Sequence, residues 1–156
     1  MRNPELNRQF QRLNDLFKKT SLASGGDIEI QSHWARYLCV LSAGFLENAI
    51  REIYTDFVRR ASSEPVANYA TSIISKIQNP KTNRFIEIAQ TFKDTWGDEL
   101  EQYVELNGRK EAIDSIMQNR HDIAHGRNSG ITVARLNQYL VRSVEVIKFI
   151  ERQCSR

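Results

Sequence analysis

Trp34, Tyr37, Leu38, Leu41, Phe45, Ala49, Ile53 and Phe57 recur at helical spacing with no break between them. That period suits one face of an α-helix and not a strand, where successive side chains point to opposite sides. From Asp27 to about Val58 the stripe predicts a single rod, roughly 45 Å long at 1.5 Å per residue. A rod of this kind is the spine of a domain, and its apolar face can be buried only against other apolar faces.

The rest of the chain supplies those faces. Asn3-Pro4 starts a helix, because asparagine caps free amides and proline at the first helical position gives up an amide that had no partner. Leu6, Phe10, Leu13 and Phe17 follow at four and three, up to Ser24-Gly25-Gly26. After Ser63-Glu64-Pro65, the positions of Val66, Tyr69, Ala70, Ile73, Ile74 and Ile77 predict a helix that stops before Asn79-Pro80, since proline pushes the residue before it out of the α region. Phe85, Ile88, Ala89 and Phe92 mark a helix over 81–92, and 98–106 reads as a short acidic helix closed by Asn107-Gly108. Ala112, Ile113, Ile116 and Met117 line a helix from Arg109 to about Arg120. Gly126 to Gly130 reads as a loop, and Thr132 caps a last helix with Val133, Leu136, Leu140, Val144, Ile147 and Ile150 inward. No repeat or linker divides the chain. The expected fold is all-α, an antiparallel helical bundle with two long helices and several shorter ones, forming one domain over residues 1–156.

Composition narrows the function classes. With 40% hydrophobic and 26% charged residues among 156, the chain has the profile of one soluble domain with its own core. Its apolar runs, such as Tyr37-Leu38-Cys39-Val40-Leu41, fall far short of the ~20 residues a membrane span needs, so no membrane partner is expected. The segment 1–19 mixes charges among its apolar residues and reads as mature protein rather than a signal peptide. Cys39 and Cys154 lack CxxC spacing and read as free thiols, which fits a reducing, cytoplasmic setting. The net charge of +3 permits a nucleic-acid partner without demanding one. Residues 94–114 are acid-rich and residues 115–156 are the basic end, where most arginines read as solvated helix faces.

Two of the three histidines stand in Asn119-Arg120-His121-Asp122-Ile123-Ala124-His125-Gly126, just before the glycine-flanked loop Gly126-Arg127-Asn128-Ser129-Gly130. Polar residues crowding where a helix meets a loop are the usual position of function on a rigid scaffold. His33, alone near the start of the long helix, reads as structural or exposed. Three readings of the cluster compete. His121 and His125 at i and i+4 mimic the HExxH zinc pattern, with aspartate for glutamate, yet no third ligand is recognisable, so no metal and no cofactor is expected. The plainer reading takes Arg120 and His121 as cations favoured at a helix C-terminus and Gly126 as its cap. The third is ribonuclease chemistry: an imidazole takes the proton of a ribose 2′-hydroxyl while a guanidinium stabilises charge on the phosphate oxygens. Arg120 and His125 lie about 140° apart on an ideal helix. Either the helix breaks at the cluster or two copies meet across a symmetric interface.

The segment Arg120-His121-Asp122-Ile123-Ala124-His125-Gly126 resembles the Arg-x4-6-His motif of the HEPN superfamily, the higher eukaryotes and prokaryotes nucleotide-binding domains. The long early helix with Phe45-Leu46-Glu47, the shorter helices after it, and a motif just ahead of the last helix are similar to the HEPN arrangement over most of the chain. Within the superfamily the chain is most similar to the RiboL-PSP HEPN group. The resemblance implies a homodimer in which Arg120 and His125 of both subunits face one cleft and cleave RNA without metal. His121 is expected to assist, to serve as a second acid or base, or to hold phosphate, and Asn119, Asp122, Arg127 and Asn128 are expected to contact the RNA. Many relatives are toxins of toxin–antitoxin or phage-defence systems, which implies an antitoxin protein partner. Others are non-catalytic modules that bind RNA or a protein, the alternative kept here. Two departures stand out. His121 replaces the small polar residue frequent after the arginine, and Gly126-Arg127 stands where one subgroup has a tyrosine that receives an inactivating nucleotide.

Overall fold

A computed structural model describes residues 1–23 and 26–155, and among them the chain forms seven helices and no strand. In order they are α1 (Pro4–Ala23), α2 (Ile28–Ala61), α3 (Glu64–Ile74), α4 (Thr82–Phe92), α5 (Asp94–Glu105), α6 (Arg109–Ala124) and α7 (Val133–Gln153). At 34 residues α2 is the spine, followed in length by α7 with 21 and α1 with 20. The helix starts are capped as their residues dictate. The Asn3 side chain accepts from the amides of Glu5 and Leu6, Asp27 accepts from Glu29 and Ile30, and Thr132 accepts from Arg135. Ser24 and Gly25, read as the end of the first helix, lie outside the described residues.

The core sits where α2, α6 and α7 meet. Leu38, Leu46, Ile50 and Tyr54 of α2 are buried with Ile113, Ile116 and Met117 of α6 and with Leu136, Leu140 and Ile147 of α7. Around them α1 and α3 lie along α2, while α4 and α5 pair as a hairpin beside α6 and α7. Two buried carboxylate and guanidinium anchors tie the chain across long distances. Glu151 near the end of α7 accepts from the backbone amides of Arg2 and Asn3 at 2.7 and 2.9 Å, closing the two ends of the chain together. Arg109 donates to Glu145 at 2.8 Å and lies over the Tyr103 ring at 4.0 Å, so one buried cation joins α5, α6 and α7. Its positive charge is spent on the fold.

Three boundaries differ from the sequence reading, each for a local reason. The third helix ends at Ile74, not Ile77, because α2 takes hold of the chain there: Arg51 donates to the Ile77 carbonyl and Glu47 accepts from the Asn79 amide, with Asn79 at φ 44°. The fifth begins at Asp94 because Lys93 alone is extended, so the buried Trp96 falls inside the helix. The sixth runs to Ala124, past the expected end at Arg120, and so carries nearly the whole cluster. The faces differ too. Val66, Tyr69 and Ile73 of α3 and Tyr37 of α2, all read as inward from spacing, are exposed.

Cys39 and Cys154 are free and buried, and burial pushes both thiols up to about 12, with Arg60 pulling against that shift at Cys154. Among the described residues no helix is long and apolar enough to cross a membrane.

Candidate active site at the end of α6

The helix ends in a way that fixes the cluster. Gly126 adopts φ 67°, the left-handed conformation that closes a helix, and its amide donates to the Ile123 carbonyl at 3.1 Å. The Arg127 amide donates to the Asp122 carbonyl at 2.8 Å. These two bonds make a Schellman cap, with His125 as the last residue before the turn. The space around Gly126 is open, so an added Cβ would touch nothing within 4 Å. Gly126→Ala should therefore cost only the conformational penalty of a side chain in the left-handed region, about 1–2 kcal/mol. Urea unfolding checks this, and an unchanged midpoint would show that the turn is held by other means.

Around this cap the cluster divides into two groups. Asn119, Asp122 and Asn128 are engaged inside the molecule: Asn119 donates to the Ser115 carbonyl and accepts from the buried Ser129 hydroxyl at 2.7 Å. Asp122 accepts from Gln118 and from Arg127 at 3.4 Å, and Asn128 accepts from Arg36 at 3.1 Å. They hold the loop against α6 and α2. Arg120, His121 and His125 have no such commitments: among the described residues, none of their side chains has a hydrogen-bond or ion-pair partner. His121 and His125 lie one turn apart with their rings tilted by 56° and centroids 4.4 Å apart, His125 exposed and His121 half-buried. Arg120 is half-buried and, on a helix that runs unbroken through Ala124, points to a different side from His125.

The electrostatics assign roles by exclusion. The C-terminal end of a helix is the negative pole of its dipole, so the backbone here offers a phosphate nothing and side-chain cations must hold it. Arg120 is free to do so, whereas Arg127 shares its charge with Asp122. Arg36 is the residue that the sequence reading missed. It arrives from α2, 92 positions from its partner Asn128, and the one hint in the sequence is that it stands as the single charged residue between Glu29 and Glu47. Among the described residues no three His, Cys, Asp or Glu side chains come together in a way that could hold a metal ion.

The family model described as RiboL-PSP-HEPN matches residues 4–156, nearly the whole chain. No curated protein and no solved structure matches it.

Proposed function

The chain belongs to the RiboL-PSP-HEPN family, and from that premise we propose that it is a metal-independent endoribonuclease working at a cleft shared by two copies. The observation that carries this reading is the division within the cluster. The asparagines and the aspartate hold the turn, while Arg120, His121 and His125 are positioned by it and left without partners. Side chains that the fold fixes but does not use are available to a substrate.

The chemistry follows from the groups. His125 takes the proton of a ribose 2′-hydroxyl, and the freed oxygen attacks the adjacent phosphorus. The bond from phosphorus to the 5′-oxygen breaks, leaving a 2′,3′-cyclic phosphate, and the departing oxygen takes up a proton to become a 5′-hydroxyl. His121, one turn away, or the second copy's histidines can supply that proton. Arg120 stabilises the charge that gathers on the non-bridging oxygens, and its planar fork suits two of them at once. A two-fold axis supplies what one helix cannot: with Arg120 and His125 about 140° apart, convergence on one phosphate needs an arginine from one copy and a histidine from the other.

The test is direct. RNA incubated with the purified protein in excess EDTA should be cut at an undiminished rate, its new ends should be 2′,3′-cyclic phosphate and 5′-hydroxyl, and DNA of the same sequence should survive. Cleavage abolished by EDTA and restored by a divalent ion, or cleavage of the DNA, would overturn the proposal. Bound RNA with no cleavage would favour the non-catalytic module.

A further inference from the structure

The loop after the motif ends in a small cleft between α6 and α7. Asn119 of α6, Gly130 and Ile131 of the loop, and Thr132, Arg135 and Tyr139 at the start of α7 line it, enclosing 270 Å³. None of these residues is acidic. We propose that the cleft seats one unpaired base of the RNA beside the scissile phosphate, with the base stacked on the Arg135 guanidinium. The inference rests on the nuclease reading above and assigns a part of the substrate that Arg120, His121 and His125 do not hold.

The walls are held in place by bonds within the chain. The Tyr139 ring is 7% exposed, and its hydroxyl donates to Glu111 Oε1 at 3.2 Å. Asn119 is fixed from both ends of its amide by Ser115 and Ser129, and the Thr132 hydroxyl accepts from the Arg135 amide. The Arg135 side chain differs. It is exposed, its guanidinium lies over the Tyr139 ring at 5.8 Å from the centroid, and among the described residues it has no hydrogen-bond or ion-pair partner. On α6, Glu111 is taken by Tyr139 and Asp122 by Gln118 and Arg127, so the Arg135 charge is not neutralised from that side.

Size and chemistry point to a base. Pockets that take a whole drug-sized molecule run to about 300–1,000 Å³, so this smaller one suits a single ring system. Unpaired bases splayed from an RNA strand are bound by stacking on aromatic rings and on guanidinium planes. Here Tyr139 backs the guanidinium, and the two together make a platform. Gly130 brings no side chain to the cleft, and a Cβ on it would meet nothing within 4 Å, so the loop leaves space at the wall. Position ties the platform to the cut. Asn119 directly precedes Arg120 on α6, and the loop that leaves His125 is pinned to Asn119 through Ser129 just before it forms the wall at Gly130 and Ile131.

Strands built of 2′-O-methyl riboses lack the nucleophile and cannot be cut, so their binding is read whether or not the protein is a nuclease, and failure of this assignment is told apart from failure of that reading. Two such oligonucleotides of equal length, one of mixed sequence without self-pairing and one carrying no bases, are titrated against the protein by fluorescence anisotropy. Wild type should prefer the strand with bases. Arg135→Lys keeps the charge and loses the plane, so it should weaken binding of the strand with bases by roughly 5- to 150-fold, the worth of one stacked base, and leave the baseless strand and the salt dependence unchanged. Arg135→Ala should lose at least as much on the strand with bases. Because Arg135 is exposed, both variants should keep the wild-type circular dichroism. Equal losses on the two strands in Arg135→Ala, restored in full by Arg135→Lys, would make Arg135 a phosphate contact and overturn the proposal. So would wild-type affinity for the strand with bases in both variants.

Discussion

His125→Ala is expected to slow RNA cleavage by roughly 10²- to 10⁴-fold, the contribution of one positioned general acid or base. Nothing in the fold should change with it. His125 is exposed, its side chain makes no hydrogen bond, and the turn it occupies is closed by the backbone of Gly126 and Arg127. Arg120→Ala should lose a comparable factor by removing charge from the phosphate, and Arg120→Lys should recover only part of it, since an ammonium is a point charge and not a planar fork. His121→Ala separates two roles. A loss as large as that of His125→Ala makes His121 the second proton carrier, and a loss of a few-fold leaves it a neighbour that orients the His125 ring through their 4.4 Å tilted contact. Single-turnover rates, with RNA retention measured beside them, are the right observable. Wild-type rates in both His125→Ala and Arg120→Ala would end the nuclease reading.

How much of this was legible in the sequence depends on the range of the interaction. The spine was, because the spacing from Trp34 to Phe57 is a local property of the chain, and so were the caps at Asn3 and Thr132, which act within three residues. The end of α3 was not, since the Glu47 and Arg51 side chains that bind the turn belong to another helix. Nor was the burial of α3. Val66, Tyr69 and Ile73 have the period of a core face, but period says only that a face exists and not that anything covers it. The cluster itself showed in the sequence as a concentration of histidine and arginine beside a loop. What the sequence could not divide is which of those polar residues are used by the fold. Asn119, Asp122, Arg127 and Asn128 were expected to contact RNA, and the structure gives each of them a hydrogen-bond partner within the chain. That division is a matter of three-dimensional partners, and it leaves Arg120, His121 and His125 as the shorter list.

Mixing two inactive variants gives the sharpest test of how those residues are shared. Neither Arg120→Ala nor His125→Ala should cut RNA appreciably alone. If each reaction centre takes its arginine from one copy and its histidine from the other, a dimer containing one of each variant has one dead centre, lacking both groups, and one intact centre. Random exchange of subunits makes half the dimers mixed, so about a quarter of all centres should be whole and about a quarter of wild-type activity should return. Were Arg120 and His125 to serve together from a single chain, no subunit in the mixture would hold both, and activity would stay at the level of the separate variants. The angle between Arg120 in α6 and His125 at its C-cap favours the first outcome, because the helix runs unbroken from Arg120 to Ala124 and turns the two side chains to different sides.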